Sequence, residues 1–93
     1  MNQEPDSAKL FSIGKNIDIL EINPEYKVVG LMVHVRCWEH ELQSIQVQNK
    51  AMLLKQTAIA YLKAEGFIKE SDSWCYSTCV MGHPPTQPPE ELA

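Results

Sequence analysis

The stretch at residues 49–66, NKAMLLKQTAIAYLKAEG, decides how the rest of the chain is read. Ala51, Leu54, Ala58, Tyr61 and Leu62 recur at spacings of one, three and four. That rhythm puts them on one face of an α-helix, with Met52, Leu53 and Ile59 widening the stripe. Lys50, Lys55, Gln56 and Lys63 fall largely off it. Asn49 is the expected N-cap, since its side-chain oxygen can accept from a free first-turn amide. Gly66 is the expected stop, because glycine takes the left-handed C′ conformation without a Cβ clash. Phe67 or Ile68 then folds back onto the last turn. Such a stripe is expected to serve the chain's own core.

Upstream, no Gly or Pro interrupts residues 39–48. The helix is therefore drawn back to about Glu41, although Ile45 and Val47 alternating with Gln46 and Gln48 also fit a strand. Residues 26–38 give the strongest strand signal. The odd positions Val29, Leu31, Val33, Val35 and Cys37 are all apolar, whereas the even set mixes Val28, Gly30, Met32, His34, Arg36 and Trp38. One apolar and one mixed face suit a sheet covered by a helix on one side. Residues 10–22 read as an earlier strand, with a break allowed at Gly14. Ile17 and Ile19 point opposite to Leu20 and Ile22, which suggests a bulge or twist near its end. Asn23-Pro24-Glu25 is a turn.

Beyond Gly66, residues 67–70 read as a short strand, 71–73 as a turn and 74–80 as a last strand. Trp74, Tyr76, Thr78 and Val80 share one of its faces. Residues 83–93, HPPTQPPEELA, hold four prolines and two acids and read as a disordered tail. Residues 1–7 read as a flexible N-terminus. The expected architecture is a single α+β domain over residues 8–82. Its element order is β-β-α-β-β, a mostly antiparallel sheet with one main helix packed on one face.

The 93 residues supply one modest core and a net charge of −4. That charge disfavours a phosphate backbone as partner. The first eleven residues, MNQEPDSAKLF, lack the basic and apolar regions of a signal peptide. No apolar run approaches membrane length. Three cysteines cannot all pair internally, which fits a reducing compartment, so a cytoplasmic location is expected.

No motif here names a chemistry. Cys37, Cys75, Cys79 and His83 are an alternative set of zinc ligands, but Cys75 and Cys79 on a strand would sit about 13 Å apart, at roughly 3.3 Å per residue. The simpler expectation is that the cysteines are small, partly buried hydrophobes, with no metal or cofactor. His34 and Cys37 offer a Cys–His pair, yet on a strand they point to opposite faces. Glu39 and Glu41 beside His40, and Asp18, Glu21 and Glu25 around the first hairpin, read as solvated charges. Gly14-Lys15 lacks the rest of a phosphate loop.

In residues 62–78, LKAEGFIKESDSWCYST, a helix ends in Glu-Gly and two apolar residues and leads into a hairpin. This outline is similar to the recognition helix and wing of winged-helix domains. The resemblance implies nucleic-acid binding through Lys50, Lys55 and Lys63. Protein recognition is the leading expectation. The chain is read as a small acidic, non-enzymatic factor, regulatory or inhibitory, binding another protein or a second copy of itself. The contact would use an exposed sheet edge, with Met32, His34, Trp38, Trp74 and Tyr76 as anchors.

Overall fold

The computed structural model describes residues 9–85. Within them the chain forms one four-stranded sheet and one main helix. Strands β1 (Phe11–Ile13), β2 (Ile17–Asn23) and β3 (Val28–Arg36) form an antiparallel meander. A short 3-10 turn at Glu39–Glu41 leads into helix α1 (Ile45–Ala64), and β4 (Cys75–His83) returns parallel to β3. The sheet order is β1-β2-β3-β4. The expected α+β class, the mostly antiparallel sheet and the single helix on one face are therefore present. The expected flexible N-terminus and residues 86–93 of the expected tail lie outside the described residues, whereas His83, expected to open the tail, is the last residue of β4, paired with Arg36.

Local chemistry accounts for the elements. The expected first strand breaks at Gly14, whose φ of +67° turns the chain so that Ile13 pairs with Ile17. The irregularity expected near the end of that strand is a register shift between Ile19 and Glu21, with Leu20 as the extra residue. It lets Ile17, Ile19 and Ile22 all serve one face despite their mixed spacing. At the next turn, Asn23 Oδ1 accepts from Tyr26 N–H at 3.2 Å. Lys27 follows at φ +56°. Tertiary contacts hold it there: its carbonyl accepts from Cys75 N–H, and its Nζ bonds Asp72 at 2.9 Å and lies 5.2 Å from the Trp74 ring centre.

Helix α1 starts later than the sequence suggested. Ser44 is the N-cap, accepting from Val47 N–H at 3.2 Å, and Asn49 is exposed in the second turn. Residues 39–41 form their own 3-10 turn, in which Glu41 Oε1 accepts from Trp38 N–H. Gly66 ends the helix as expected, at φ +83°. Gly66 N–H donates to Lys63 O and Phe67 N–H to Leu62 O, the paired bonds of a Schellman motif.

Residues 67–70 form no strand, contrary to expectation. Ile68 is buried in the core and Phe67 stacks on Phe11 with ring centres 5.2 Å apart, so side-chain anchoring replaces a ladder. The connection that seemed a hairpin is a crossover. It carries the chain over the sheet so that β4 can lie parallel to β3.

Helix α1 lies across β2 and β3. Ile17, Ile19, Val29, Leu31, Ala58, Leu62 and Ile68 form one buried cluster. Val33, Val35, Cys37, Val47 and Ala51 form a second. Burying such side chains contributes about 1.5–3 kcal/mol each against the cost of ordering the chain. Among the described residues the opposite sheet face carries no helix.

Candidate functional site

Strand β4 is the feature that the fold leaves unfinished. It pairs with β3 over nine residues, Cys75 to His83, without a register break. Among the described residues no strand lies on its other side. In an extended strand the N–H and C=O of one residue point the same way, and successive residues alternate. Cys75 N–H donates to Lys27 O, and His83 O accepts from Cys37 N–H, so the odd positions of β4 face β3. The backbone groups of Tyr76, Thr78, Val80 and Gly82 therefore point outward, along the free edge. Natural sheets guard such an edge with Lys, Pro, a bulge or brevity. CYSTCVMGH has no Lys, Arg, Asp, Glu or Pro, and no bulge.

The helix deepens this edge into a groove. Since α1 sits over β2 and β3, it does not reach across the outer part of β4. A cleft of about 230 Å³ opens between them, lined by Gln48, Ala51, Met52, Lys55, Thr78 and Val80. Met52 is 57% exposed at its rim. Lys55 is half-buried in the wall. The Thr78 hydroxyl oxygen is buried and has no hydrogen-bond partner among the described residues.

The helix-free sheet face holds a chain of polar contacts. Ser12 Oγ donates to Asp18 Oδ1 at 2.6 Å, and Asp18 Oδ2 meets His34 Nε2 at 2.9 Å. His34 Nδ1 meets His83 Nε2 at 2.8 Å, and Lys9 Nζ lies 3.7 Å from Asp18 Oδ1. The Ser12 hydroxyl, then the His34 ring, hold the Asp18 carboxyl below its usual range, against a smaller effect of burial. Because a carboxylate only accepts, Nε2 of His34 carries a hydrogen; in neutral His34, Nδ1 then accepts from His83 Nε2–H. Both ring nitrogens of His34 are thus engaged. The arrangement ties β2, β3 and β4 together across the open face.

The expected anchors divide between the two faces. Met32 and His34 lie half-buried on the open face of β3. Trp38 is exposed just past the end of β3. Trp74 and Tyr76 are on the helix side and pack against the larger core cluster. Burial pushes the Tyr76 phenol up. The five residues do not form one patch.

The alternative zinc set does not converge. Cys37 is buried on the helix side, while Cys75 and Cys79 are exposed on the open face and His83 is engaged with His34. Among the described residues no three His, Cys, Asp or Glu side chains are placed to share a metal. His34 and Cys37 lie on opposite faces, as their spacing indicated. The winged-helix outline loses its wing, because residues 67–70 form no strand and β4 pairs with β3 instead. Lys50 and Lys63 are exposed on α1, and Lys55 faces the cleft.

Sequence reasoning missed Ser12, Asp18, Met52, Thr78 and Val80 as site residues. The open-face alternation of β2 and β3 carried a signal for the Asp18–His34 contact, once a hairpin at Asn23-Pro24 was granted. The cleft had no local signal, since it depends on which strands the helix covers. Comparison of the chain with protein-family models, curated proteins and solved structures gave no match. Among the described residues no helix is long and apolar enough to cross a membrane.

Proposed function

We propose that this chain is a protein-recognition module that takes an extended segment of another protein as a further strand beside β4. The observation that carries the proposal is the outer edge of β4, unpaired among the described residues, with the backbone groups of Tyr76, Thr78, Val80 and Gly82 directed away from β3. Strand addition satisfies such groups with main-chain hydrogen bonds, while side chains at alternate positions select the partner. In this reading Tyr76 and Trp74 stiffen the strand from the helix side, and Met32, His34 and His83 hold its open face in register.

Thr78→Pro tests this directly. It deletes an outward N–H but no bond to β3, so the edge is blocked while the ladder stays intact. The tagged full chain and this variant are used to capture partners from source-cell lysate, with and without nuclease. A stoichiometric protein held by the native chain, lost with Thr78→Pro and indifferent to nuclease is the expected result. A partner retained by Thr78→Pro, or one that disappears with nuclease, contradicts the proposal.

A further inference from the structure

We infer that the segment received by β4 is an extended peptide with apolar side chains at alternate positions and a carboxylate near one end, read by the cleft between α1 and β4. The inference rests on the edge-strand reading above and adds the chemistry of the partner.

A strand added to β4 places every second side chain on the helix side of the sheet. There it meets Ala51, Met52, Thr78 and Val80 across a cleft of about 230 Å³. Room of that size takes small or medium apolar groups. Met52 suits the rim, since its unbranched thioether side chain adapts to different occupants.

Charge selects the carboxylate. The chain as a whole carries −4. Helix α1 nevertheless holds Lys50, Lys55 and Lys63 and no acid, and β4 holds no Lys, Arg, Asp or Glu. Lys55 supplies the formal charge of the cleft wall. It makes no ion pair with any described residue. An acidic group on the occupant therefore complements the wall, and a basic one is repelled.

The same charge argues against a second copy as occupant. Two β4 strands paired antiparallel about a twofold axis keep their helices on one sheet face. The two Lys55 side chains would then share one groove with no acid from either helix or either strand.

The test is selection of random dodecapeptides from a displayed library on the immobilised full chain. The enriched peptides are then measured in solution by fluorescence anisotropy. Expected are apolar residues at alternate positions, an Asp or Glu toward one end, and loss of binding with Thr78→Pro. Lys55→Glu should weaken binding by tenfold or more, a size typical of losing a partly desolvated charge pair. Lys63→Glu, about 12 Å further along the helix, should leave it unchanged. If Thr78→Pro does not fold, Thr78→Trp serves instead, as it fills the cleft wall without adding charge or touching the backbone.

Peptides that lack an acid, ignore Lys55→Glu and still depend on Thr78 overturn this inference and leave the edge-strand reading standing. Peptides indifferent to both Thr78 variants overturn both. Failure to enrich any peptide overturns the inference. So does a dimer in sedimentation that Thr78→Pro dissolves, which assigns the groove to a second copy. Enrichment only on a chain ending at Pro85 assigns the groove to the chain's own C-terminal segment and likewise overturns it.

Discussion

Leu62 and Leu53 are the same residue on one helix, and the sequence pattern places both in or beside the apolar stripe. The structure separates them: Leu62 is 0% exposed within the larger core cluster, whereas Leu53 is 64% exposed. Leu62→Ala removes a fully buried isobutyl group and leaves a space between helix and sheet. The cost is about 2–5 kcal/mol, the spread reflecting how far the site collapses. Leu53→Ala gives up little buried area, and alanine's higher helix propensity offsets part of that, so the net change is within about 0.5 kcal/mol. Total stability for a domain of this size is about 5–15 kcal/mol, so Leu62→Ala consumes a large share of it. With a urea slope of about 1–1.5 kcal/mol per molar, a loss of about 3 kcal/mol lowers the unfolding midpoint by roughly 2–3 M. Paired urea titrations followed by circular dichroism measure both. Equal shifts for the two variants, or a larger one for Leu53→Ala, would refute this placement of α1 on the sheet.

Gly66→Ala puts a Cβ on a residue at φ +83° with open space around it, so only the backbone objects; a loss of about 1 kcal/mol is expected in the same titration. Asp18 and Asp72 are both held below the ordinary value of 3.8, Asp18 chiefly by the Ser12 hydroxyl and Asp72 chiefly by the Lys27 ammonium. The unfolded chain takes up these protons first on acidification. The stabilisation is therefore complete above 3.8 and is lost as the pH falls through the lower folded values. Melting temperatures taken down to about pH 2 should show a shallower acid limb in Asp18→Asn than in the native chain, and equal slopes would contradict the assignment. In neutral His34, long-range nitrogen–proton correlation should find the hydrogen on Nε2; a hydrogen on Nδ1 alone would break the Asp18–His34–His83 chain. Thr78→Pro should keep the native far-ultraviolet spectrum and lie within about 1 kcal/mol of the native stability, because its N–H points away from β3. A collapse of the fold would show that this amide is bonded within the chain.

What the sequence revealed was set by local chemistry. Gly66 announced the helix end, Asn23-Pro24 the hairpin, and the unbroken odd-position apolar set of residues 29–37 the buried face of β3. Ser44 is hard to recognise as a cap because Ile45 and Val47 imitate strand alternation in the first helical turn. Residues 67–70 look like a strand for a similar reason, since two apolar residues after a glycine cannot reveal that one anchors in the core and the other stacks on Phe11. The parallel pairing of β3 and β4 is a property of the crossover and not of either strand. The cleft and the free edge follow from that pairing, so they were legible only as the general expectation of an exposed sheet edge. Trp74 and Tyr76 share one face, as their spacing indicates, and that face is the helix side.

Amide hydrogen exchange across β4, with and without a selected peptide, tests the central claim most directly. In the free chain the amides of Ser77, Cys79 and Met81 should be protected by β3, while those of Tyr76, Thr78, Val80 and Gly82 exchange quickly. Addition of the peptide should slow the second set and leave the first unchanged. Uniform protection in the free chain, or a bound peptide that leaves the outward amides exchanging as before, would contradict the edge-strand account.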